Sequence, residues 1–164
     1  PITPSRWEVD NMNPKTRTDE EARIEFFVGD WTNAGHVAPG AFGPGGPTTG
    51  ETRYRWDVGG KWLLYQSHLE LPGLGGYEVH GGVAYNVRTG KYDAYAVNSL
   101  GNLLVYEGIW TDESTLAFTL VHPPADSPSR VVYRKLADAL TMTSETATED
   151  GEFVAYYQTD FLRA

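Results

Sequence analysis

The stretch SHLELPGLGGYEVHGG contains His-x-Glu, a Gly-rich turn and then Glu-x-His. Folded as a hairpin about that turn, it sets His68 opposite His80 and Glu70 opposite Glu78. Two imidazoles and two carboxylates on one face are the groups that a metal site or an acid–base pair needs. Their chemistry depends on whether this face points into the fold or towards water.

The preceding hairpin indicates which face is the interior. A two-residue Gly59-Gly60 turn pairs Trp56 with Leu63 and Tyr54 with Tyr65, and directly opposed residues share a face. Alternate residues continue this apolar face through the following strands, so we expect it to be the interior. The four ionisable residues then lie outside, as surface without a bound metal. A metal or proton-transfer site is the alternative, because a β-bulge flips every later side chain.

The same alternation selects an inward set that could line a ligand cavity. The run Leu116–His122 ends on an inward His122, and pairing Leu116 with Trp110 brings Tyr106 to the same face. The predicted ligand-binding side chains are Tyr54, Trp56, Tyr65, Tyr85, Tyr106, Phe118, His122, Ser144 and Tyr157. An apolar cavity with a few polar anchors is typical of small-molecule sites. The alternative is a barrel filled by side chains, with His122 bonded to water at a strand end.

Ten short strand-like runs must position these residues, with turn signals between them. The runs are Trp31–Val37, Glu51–Asp57, Trp62–Leu71, Tyr77–Tyr85, Tyr92–Asn98, Leu103–Trp110, Leu116–His122, Arg130–Leu136, Leu140–Ala147 and Phe153–Arg163. This even spacing predicts an all-β fold: a closed, antiparallel, up-and-down β-barrel. Residues Ala38–Gly50, rich in Gly and Pro, are expected to form a mobile loop.

One short helix is predicted before the first strand. Thr18-Asp-Glu-Glu21 reads as a capping box, and Ile24 and Phe27 follow at helical spacing. Residues 1–17 are irregular and polar, so we interpret them as an arm and residues 18–164 as a single barrel domain.

The composition narrows the classes of binding partner that we expect. The chain has 164 residues and a net charge of -9, so a phosphate backbone would be repelled and nucleic acid is not an expected partner. No apolar run reaches the roughly 18 residues that a membrane span requires. Cysteine is absent, which excludes thiolate chemistry and fits a reducing cytoplasm. No leader pattern is visible at Pro1.

Several short motifs together resemble the DUF1579 family of lipocalin-like proteins. They are Gly29-Asp30-Trp31, Trp56-Asp57-x-Gly59-Gly60-Lys61-Trp62-Leu63, His80-Gly81-x-x-Ala84-Tyr85-Asn86, Gly90-Lys91-Tyr92 and the late Arg163. The resemblance runs from about Phe26 to the end. Where this chain has Ala84-Tyr85-Asn86 the family usually has Gly-Tyr-Asp, a difference that we interpret as structural.

The resemblance extends to the wider calycin group and implies a structural role for two residues. In that group the Trp lies at the closed end of the barrel under an Arg of the last strand, which implies a cation–π contact between Trp31 and Arg163. Nitrobindin-like relatives carry a longer Gly-rich run after this Trp and a haem-ligating His. No His of this chain matches that ligand, so no cofactor is expected, with haem as the minor alternative.

Three functions are compatible with these observations. The first is binding of a small apolar or aromatic molecule in the barrel, reached beneath the Ala38–Gly50 loop. The second is a cofactor-independent lyase or isomerase in the same cavity, with His122 moving a proton and the Tyr106 hydroxyl stabilising negative charge; His68 and His80, with Glu70 and Glu78, are the alternative acid–base groups. The third is a domain that self-associates through its outer sheet.

Overall fold

The computed structural model describes residues 17–40, 43–122 and 128–164. Most of the predicted arm, residues 1–16, lies outside the described residues. The elements are helix α1 (Asp19–Arg23), a 3-10 turn (Glu25–Phe27) and strands β1 (Gly29–Val37), β2 (Gly46–Asp57), β3 (Trp62–Leu71), β4 (Gly75–Asn86), β5 (Lys91–Asn98), β6 (Leu103–Trp110), β7 (Thr115–Leu120), β8 (Ser129–Lys135), β9 (Ala139–Ala147) and β10 (Phe153–Arg163). No helix among the described residues is long and apolar enough to cross a bilayer.

The ten strands form one closed antiparallel barrel. Each strand pairs with the next along the chain, and β1 pairs with β10 to complete the ring. This confirms the predicted up-and-down barrel. The predicted pairs Trp56–Leu63 and Tyr54–Tyr65 are also present. Alternate residues therefore face the interior over most of each strand.

The short helix closes one end of the barrel. The Thr18 hydroxyl accepts a hydrogen bond from the Glu21 amide, and the Glu21 carboxylate accepts one from the Thr18 amide, which is the predicted capping box. The buried Glu21 carboxylate is also held by Lys61 Nζ, 3.0 Å from each oxygen. Ile24 and Phe27 then insert into the hydrophobic core at this closed end.

Trp31 and Arg163 lie together beneath the helix. The Arg163 guanidinium carbon is 3.8 Å from the Trp31 ring centroid, in the contact that the resemblance implied. Arg163 also donates hydrogen bonds to the carbonyls of Phe26 and Val28, and the Trp31 indole nitrogen donates to the Phe27 carbonyl at 2.7 Å. The first and last strands are thus tied to the segment that leads from the helix into the barrel.

The second strand begins earlier than its composition predicts. β2 starts at Gly46, and residues 46–50 pair with the end of β1, so this part of the expected loop is strand. Pro47 pairs opposite His36 although it lacks an amide hydrogen; the β2–β3 pairing begins only at Thr49, so Pro47 lies at an edge, where the missing donor is tolerated. The connection between the two strands is residues 38–45, at the end of the barrel away from the helix.

Candidate ligand-binding cavity

The barrel contains a cavity of about 180 Å³ in the half away from the helix. The core cluster of Ile24, Phe27 and their neighbours fills the closed half. Among the described residues, the cavity is lined by Asn33, Val37, Tyr54, Tyr65, Ser67, Leu69, Leu71, Tyr77, Val79, Val83, Ala94, Tyr95, Ala96, Tyr106, Phe118, Val131, Tyr133, Met142, Ser144, Tyr156, Tyr157 and Phe161. The barrel is therefore solid at one end and hollow towards the other.

Tyrosines dominate the polar part of this lining. Tyr54, Tyr65 and Tyr133 lie deepest, and the rings of Tyr54 and Tyr65 are 5.3 Å apart between centroids. Burial raises the pKa of all three phenols. Burial likewise raises the pKa values of four further phenols of the lining, Tyr77, Tyr106, Tyr156 and Tyr157. These hydroxyls are therefore protonated near neutral pH and can donate hydrogen bonds.

The lining contains no formal charge among the described residues: no Asp, Glu, Lys, Arg or His side chain borders the cavity. A buried charged ligand would therefore lack a counter-ion, and an unpaired charge in such a place is costly. The cavity suits a neutral molecule.

Two glycines let aromatic rings lie flat against the wall. A Cβ at Gly81 would lie 2.4 Å from the Tyr65 ring, and one at Gly108 would lie 2.4 Å from the Phe118 ring. Both distances are far below van der Waals contact, so any larger residue would push the ring into the cavity. The cavity volume depends on these two positions.

A chain of three polar side chains crosses one wall. Thr52 Oγ1 donates to Asn33 Oδ1 at 3.1 Å and lies 2.8 Å from Ser67 Oγ. All three residues are buried, and Asn33 and Ser67 border the cavity. Strands β5–β7 contribute Ala94, Ala96 and Phe118 to the lining, together with Tyr95 and Tyr106.

Six of the nine predicted ligand-binding side chains border the cavity: Tyr54, Tyr65, Tyr106, Phe118, Ser144 and Tyr157. Trp56 and Tyr85 do not, because they pack against the core at the closed end. Tyr85 lies against Tyr92, and the Trp56 ring is covered by Arg17, 4.2 Å from its centroid. Both residues face inward as predicted, but below the cavity.

His122 lies outside the cavity, contrary to its predicted inward position. Strand β7 ends at Leu120, and His122 is exposed with a φ of 58° in the bend that follows. The alternation that made His122 inward requires the strand to continue, and the left-handed backbone turns the chain away. The pair His122 and Tyr106 therefore does not meet in the cavity.

The hairpin that carries the two His-Glu pairs, β3–β4, has a different register from the predicted one. His68 pairs with Glu78, Gln66 with His80 and Glu70 with Gly76, because the connection is a tight three-residue turn after Leu71. The shift is two residues, so it leaves the faces unchanged. All four ionisable side chains are exposed, as expected; His68 Nδ1 lies 3.3 Å from Glu78 Oε1 with both side chains about 60% exposed.

We predict that this outer patch binds no zinc tightly. The described residues contain no group of three or more His, Cys, Asp or Glu side chains placed to hold a metal ion, and a tight zinc site needs three or four ligands. Calorimetric titration with zinc is expected to show no stoichiometric submicromolar binding. Such binding, lost in the His68→Ala/His80→Ala double variant, would contradict the prediction.

Several cavity residues were absent from the predicted set. Tyr133 pairs with Leu116 and shares its inward face, so the alternation of β8 could have identified it. Tyr156 borders the cavity beside Tyr157 because the β9–β10 ladder shifts register between Ala155 and Tyr157. No sequence signal marks that irregularity. Asn33 follows Trp31 at the spacing of an inward residue, but a polar side chain does not fit the apolar alternation that marks inward positions.

Stability is predicted to fall steeply in alkali because buried phenols must ionise on unfolding. Tyr54, Tyr65 and Tyr133 have folded pKa values raised above the unfolded value of about 10. Their contribution is complete below about pH 10. It decreases as the pH rises towards the folded pKa values, by about 1.4 kcal/mol per pH unit for each tyrosine.

Urea unfolding followed by circular dichroism between pH 8 and 12 measures this loss. Absorbance of the phenolate near 295 nm should rise together with unfolding for the buried tyrosines. Full ionisation of all ten tyrosines near pH 10 in a protein that is still folded would contradict the prediction.

Solved structures with the same fold are known. The chain is similar to the crystal structure of Rv2717c from M. tuberculosis, with a TM-score of 0.63 and 14% identity over 90% of this chain and 98% of that one. It is also similar to the S-type phycobiliprotein lyase CPES from Guillardia theta, with a TM-score of 0.61 and 9% identity over 98% of each chain. At these identities the likeness concerns the fold alone. No curated protein matches the chain.

The chain also matches a protein family by its sequence. Residues 16–163 match the family described as "Protein of unknown function (DUF1579)", which covers the helix and all ten strands. The closed barrel, the Trp31–Arg163 contact at its closed end and this match agree with one another, and the chain belongs to the DUF1579 family.

Proposed function

We propose that the protein binds a small, neutral, apolar or aromatic molecule inside the barrel. The observation that carries the proposal is the cavity itself: a hollow half-barrel lined by aromatic rings, phenol hydroxyls and aliphatic side chains, with no charged group among the described lining residues. Sites of this composition bury a hydrophobic ligand and orient it with a few hydrogen bonds.

The volume limits the ligand to about one ring. A cavity of roughly 150 Å³ lined by apolar side chains takes up benzene in another protein, and this cavity measures about 180 Å³. Pockets for drug-sized molecules start at roughly 300 Å³. A substituted benzene therefore fits, whereas haem would have to stay largely outside.

Calorimetry or ligand-observed NMR with neutral single-ring aromatics tests the proposal. We expect dissociation constants on the order of 10 µM to 1 mM, given the few atoms available for contact. A charged analogue such as benzoate should bind at least tenfold more weakly. If no neutral aromatic perturbs the resonances of cavity residues such as Tyr65 and Ala96 at millimolar concentration, the proposal fails.

The lyase or isomerase alternative has less support. A phycobiliprotein lyase shares the fold, but only at 9% identity. An acid–base mechanism needs a group that can take up a proton, and the described cavity lining offers neither imidazole nor carboxylate. Because burial raises the pKa values of phenols such as Tyr65 and Tyr106, these groups stay protonated near neutral pH and do not provide a phenolate that could act as a base. Binding should therefore be unchanged in His122→Gln; loss of a measured turnover in that variant would instead favour the enzyme.

Two further expectations stay predictions. Self-association would use the outer sheet, where Val97 and Leu103 pair directly and are exposed; sedimentation velocity across a concentration series decides whether copies associate. A cytoplasmic location is expected from the cysteine-free sequence, and fractionation of cells that express the protein tests it.

A further inference from the structure

The polar chain on β1–β3 has an unused end. Asn33, Thr52 and Ser67 are exposed by only 5%, 3% and 8%, so each of their polar atoms needs a partner inside the protein or in the cavity. The ladder explains how they meet: Thr52 pairs directly with Ser67, and Asn33 lies on the adjacent strand β1. They form one hydrogen-bonded group rather than three separate polar residues.

The protons of this group can be assigned by elimination. Thr52 has a single hydroxyl hydrogen, and it goes to Asn33 Oδ1. The 2.8 Å contact between Thr52 and Ser67 must then use the hydrogen of Ser67. Both hydroxyl hydrogens are consumed, and the Asn33 carbonyl oxygen accepts one hydrogen bond.

The Asn33 amide nitrogen is left over. It carries two N–H donors, and no acceptor for them is found among the described residues. Asn33 is nevertheless buried and borders the cavity. A donor without a partner at such a position is unfavourable, whereas one paired with a ligand acceptor contributes to affinity and orientation.

We propose that the Asn33 amide recognises an acceptor oxygen of the ligand, so that the ligand is a neutral carbonyl compound of about one ring. This inference deepens the proposed function and rests on it. The uncharged wall disfavours a carboxylate. The phenols lining the cavity both donate and accept, so they do not discriminate between acceptor and donor ligands. Asn33 favours an acceptor, because both of its N–H donors are left over whereas its carbonyl oxygen already accepts a hydrogen bond from Thr52.

Two probes of equal shape isolate this contact. Acetophenone and α-methylstyrene differ only in a carbonyl oxygen against a methylene group. The quantity measured is the ratio of their dissociation constants, in the wild-type protein and in Asn33→Leu, a substitution of similar size without donors. The hydrocarbon leaves water more readily than the ketone in every case, so this difference cancels when the ratio is compared between the wild-type protein and the variant. Asn102→Leu, at an exposed loop position, is the matched control.

We expect Asn33→Leu to shift the ratio about tenfold against acetophenone, the effect of one lost hydrogen bond with its desolvation. Asn102→Leu should leave it unchanged. If α-methylstyrene binds but the ratio is the same in wild type and Asn33→Leu, the carbonyl inference is wrong and the proposed function stands. If neither probe binds the wild-type protein, both are wrong.

A measurement on the wild-type protein covers the case in which Asn33→Leu does not fold. In a ¹⁵N-labelled sample, the side-chain amide resonances of Asn33 should move downfield on binding acetophenone and stay in place on binding α-methylstyrene. Equal shifts with both probes, or none with acetophenone at saturation, would overturn the inference.

Discussion

Replacing Trp31 by alanine is expected to lower the free energy of unfolding by about 3–5 kcal/mol, the usual cost of deleting a fully buried large aromatic side chain. Trp31 is 2% exposed. Its indole nitrogen donates to the Phe27 carbonyl, and its ring meets the edge of Phe161 and the guanidinium of Arg163. The variant would lose all of these contacts at once, at the point where β1, β10 and the helical segment join.

Urea denaturation monitored by far-ultraviolet circular dichroism measures this effect. Trp31→Phe, which keeps part of the ring and loses the indole hydrogen bond, should cost less. Arg163→Ala should cost about 0.5–1.5 kcal/mol, because the carbonyls of Phe26 and Val28 lose their donors at an exposed position where water can replace them. The double variant should be less destabilised than the sum of the two by about 0.5–2 kcal/mol, the range of a cation–π contact. If the two effects add exactly, the contact between Trp31 and Arg163 contributes no measurable free energy.

Filling the cavity gives the second large effect. Ala96 is buried and borders the cavity. Ala96→Phe introduces about one benzene ring, which is the ligand volume that the cavity offers. We expect affinity for neutral single-ring aromatics to fall at least 100-fold. The change in stability should be smaller, within about 1–3 kcal/mol, because the new ring enters existing space and causes limited overpacking.

The matched control is Ala34→Phe, which places the same side chain at an exposed position of β1. Calorimetry should give wild-type affinity for that variant. Wild-type affinity in Ala96→Phe, with the fold intact by circular dichroism, would mean that the ligand binds elsewhere and would contradict the cavity as the site.

The sequence predicts whether a side chain faces the inside or the outside of the barrel better than it predicts how far along the barrel axis that side chain lies. A period of two assigns a side chain to the inside or the outside, and that assignment was right for Trp56 and Tyr85 as well as for Tyr65. Depth along the barrel axis depends on how far the helix and its Ile24 and Phe27 side chains fill the interior. That is a property of tertiary packing, which strand periodicity does not contain.

Strand ends and irregularities account for the remaining differences. His122 was assigned by continuing an alternation two residues beyond the end of β7. Tyr156 borders the cavity because the β9–β10 ladder shifts register next to it. The same shift compensates for a β9–β10 turn whose length differs from the predicted one, so Tyr157 still pairs with Ser144 as predicted. Two such departures can compensate each other, and sequence pattern alone does not show either one.

The polar chain of Asn33, Thr52 and Ser67 could be predicted only in part: the hairpin about Gly59-Gly60 that pairs Tyr54 with Tyr65 also pairs Thr52 with Ser67, as the structure confirms. Polar residues on inward positions interrupt the apolar alternation, and a pattern analysis treats each as an exception. The β1–β2 ladder of the structure is needed to show that Asn33 lies beside this pair and accepts a hydrogen bond from Thr52.

Closure of the barrel has a kinetic consequence. The β1–β10 seam joins segments about 130 residues apart, as in the hydrogen bond from Thr32 to the Leu162 carbonyl, whereas every other pairing joins strands that are neighbours along the chain. Contacts between such distant segments form slowly, because a long loop must close before they yield any stabilisation. A nine-stranded intermediate would have most of its hairpins but no enclosed interior. Competence to retain a guest molecule should therefore appear at the last step of folding, after most of the secondary structure is already in place.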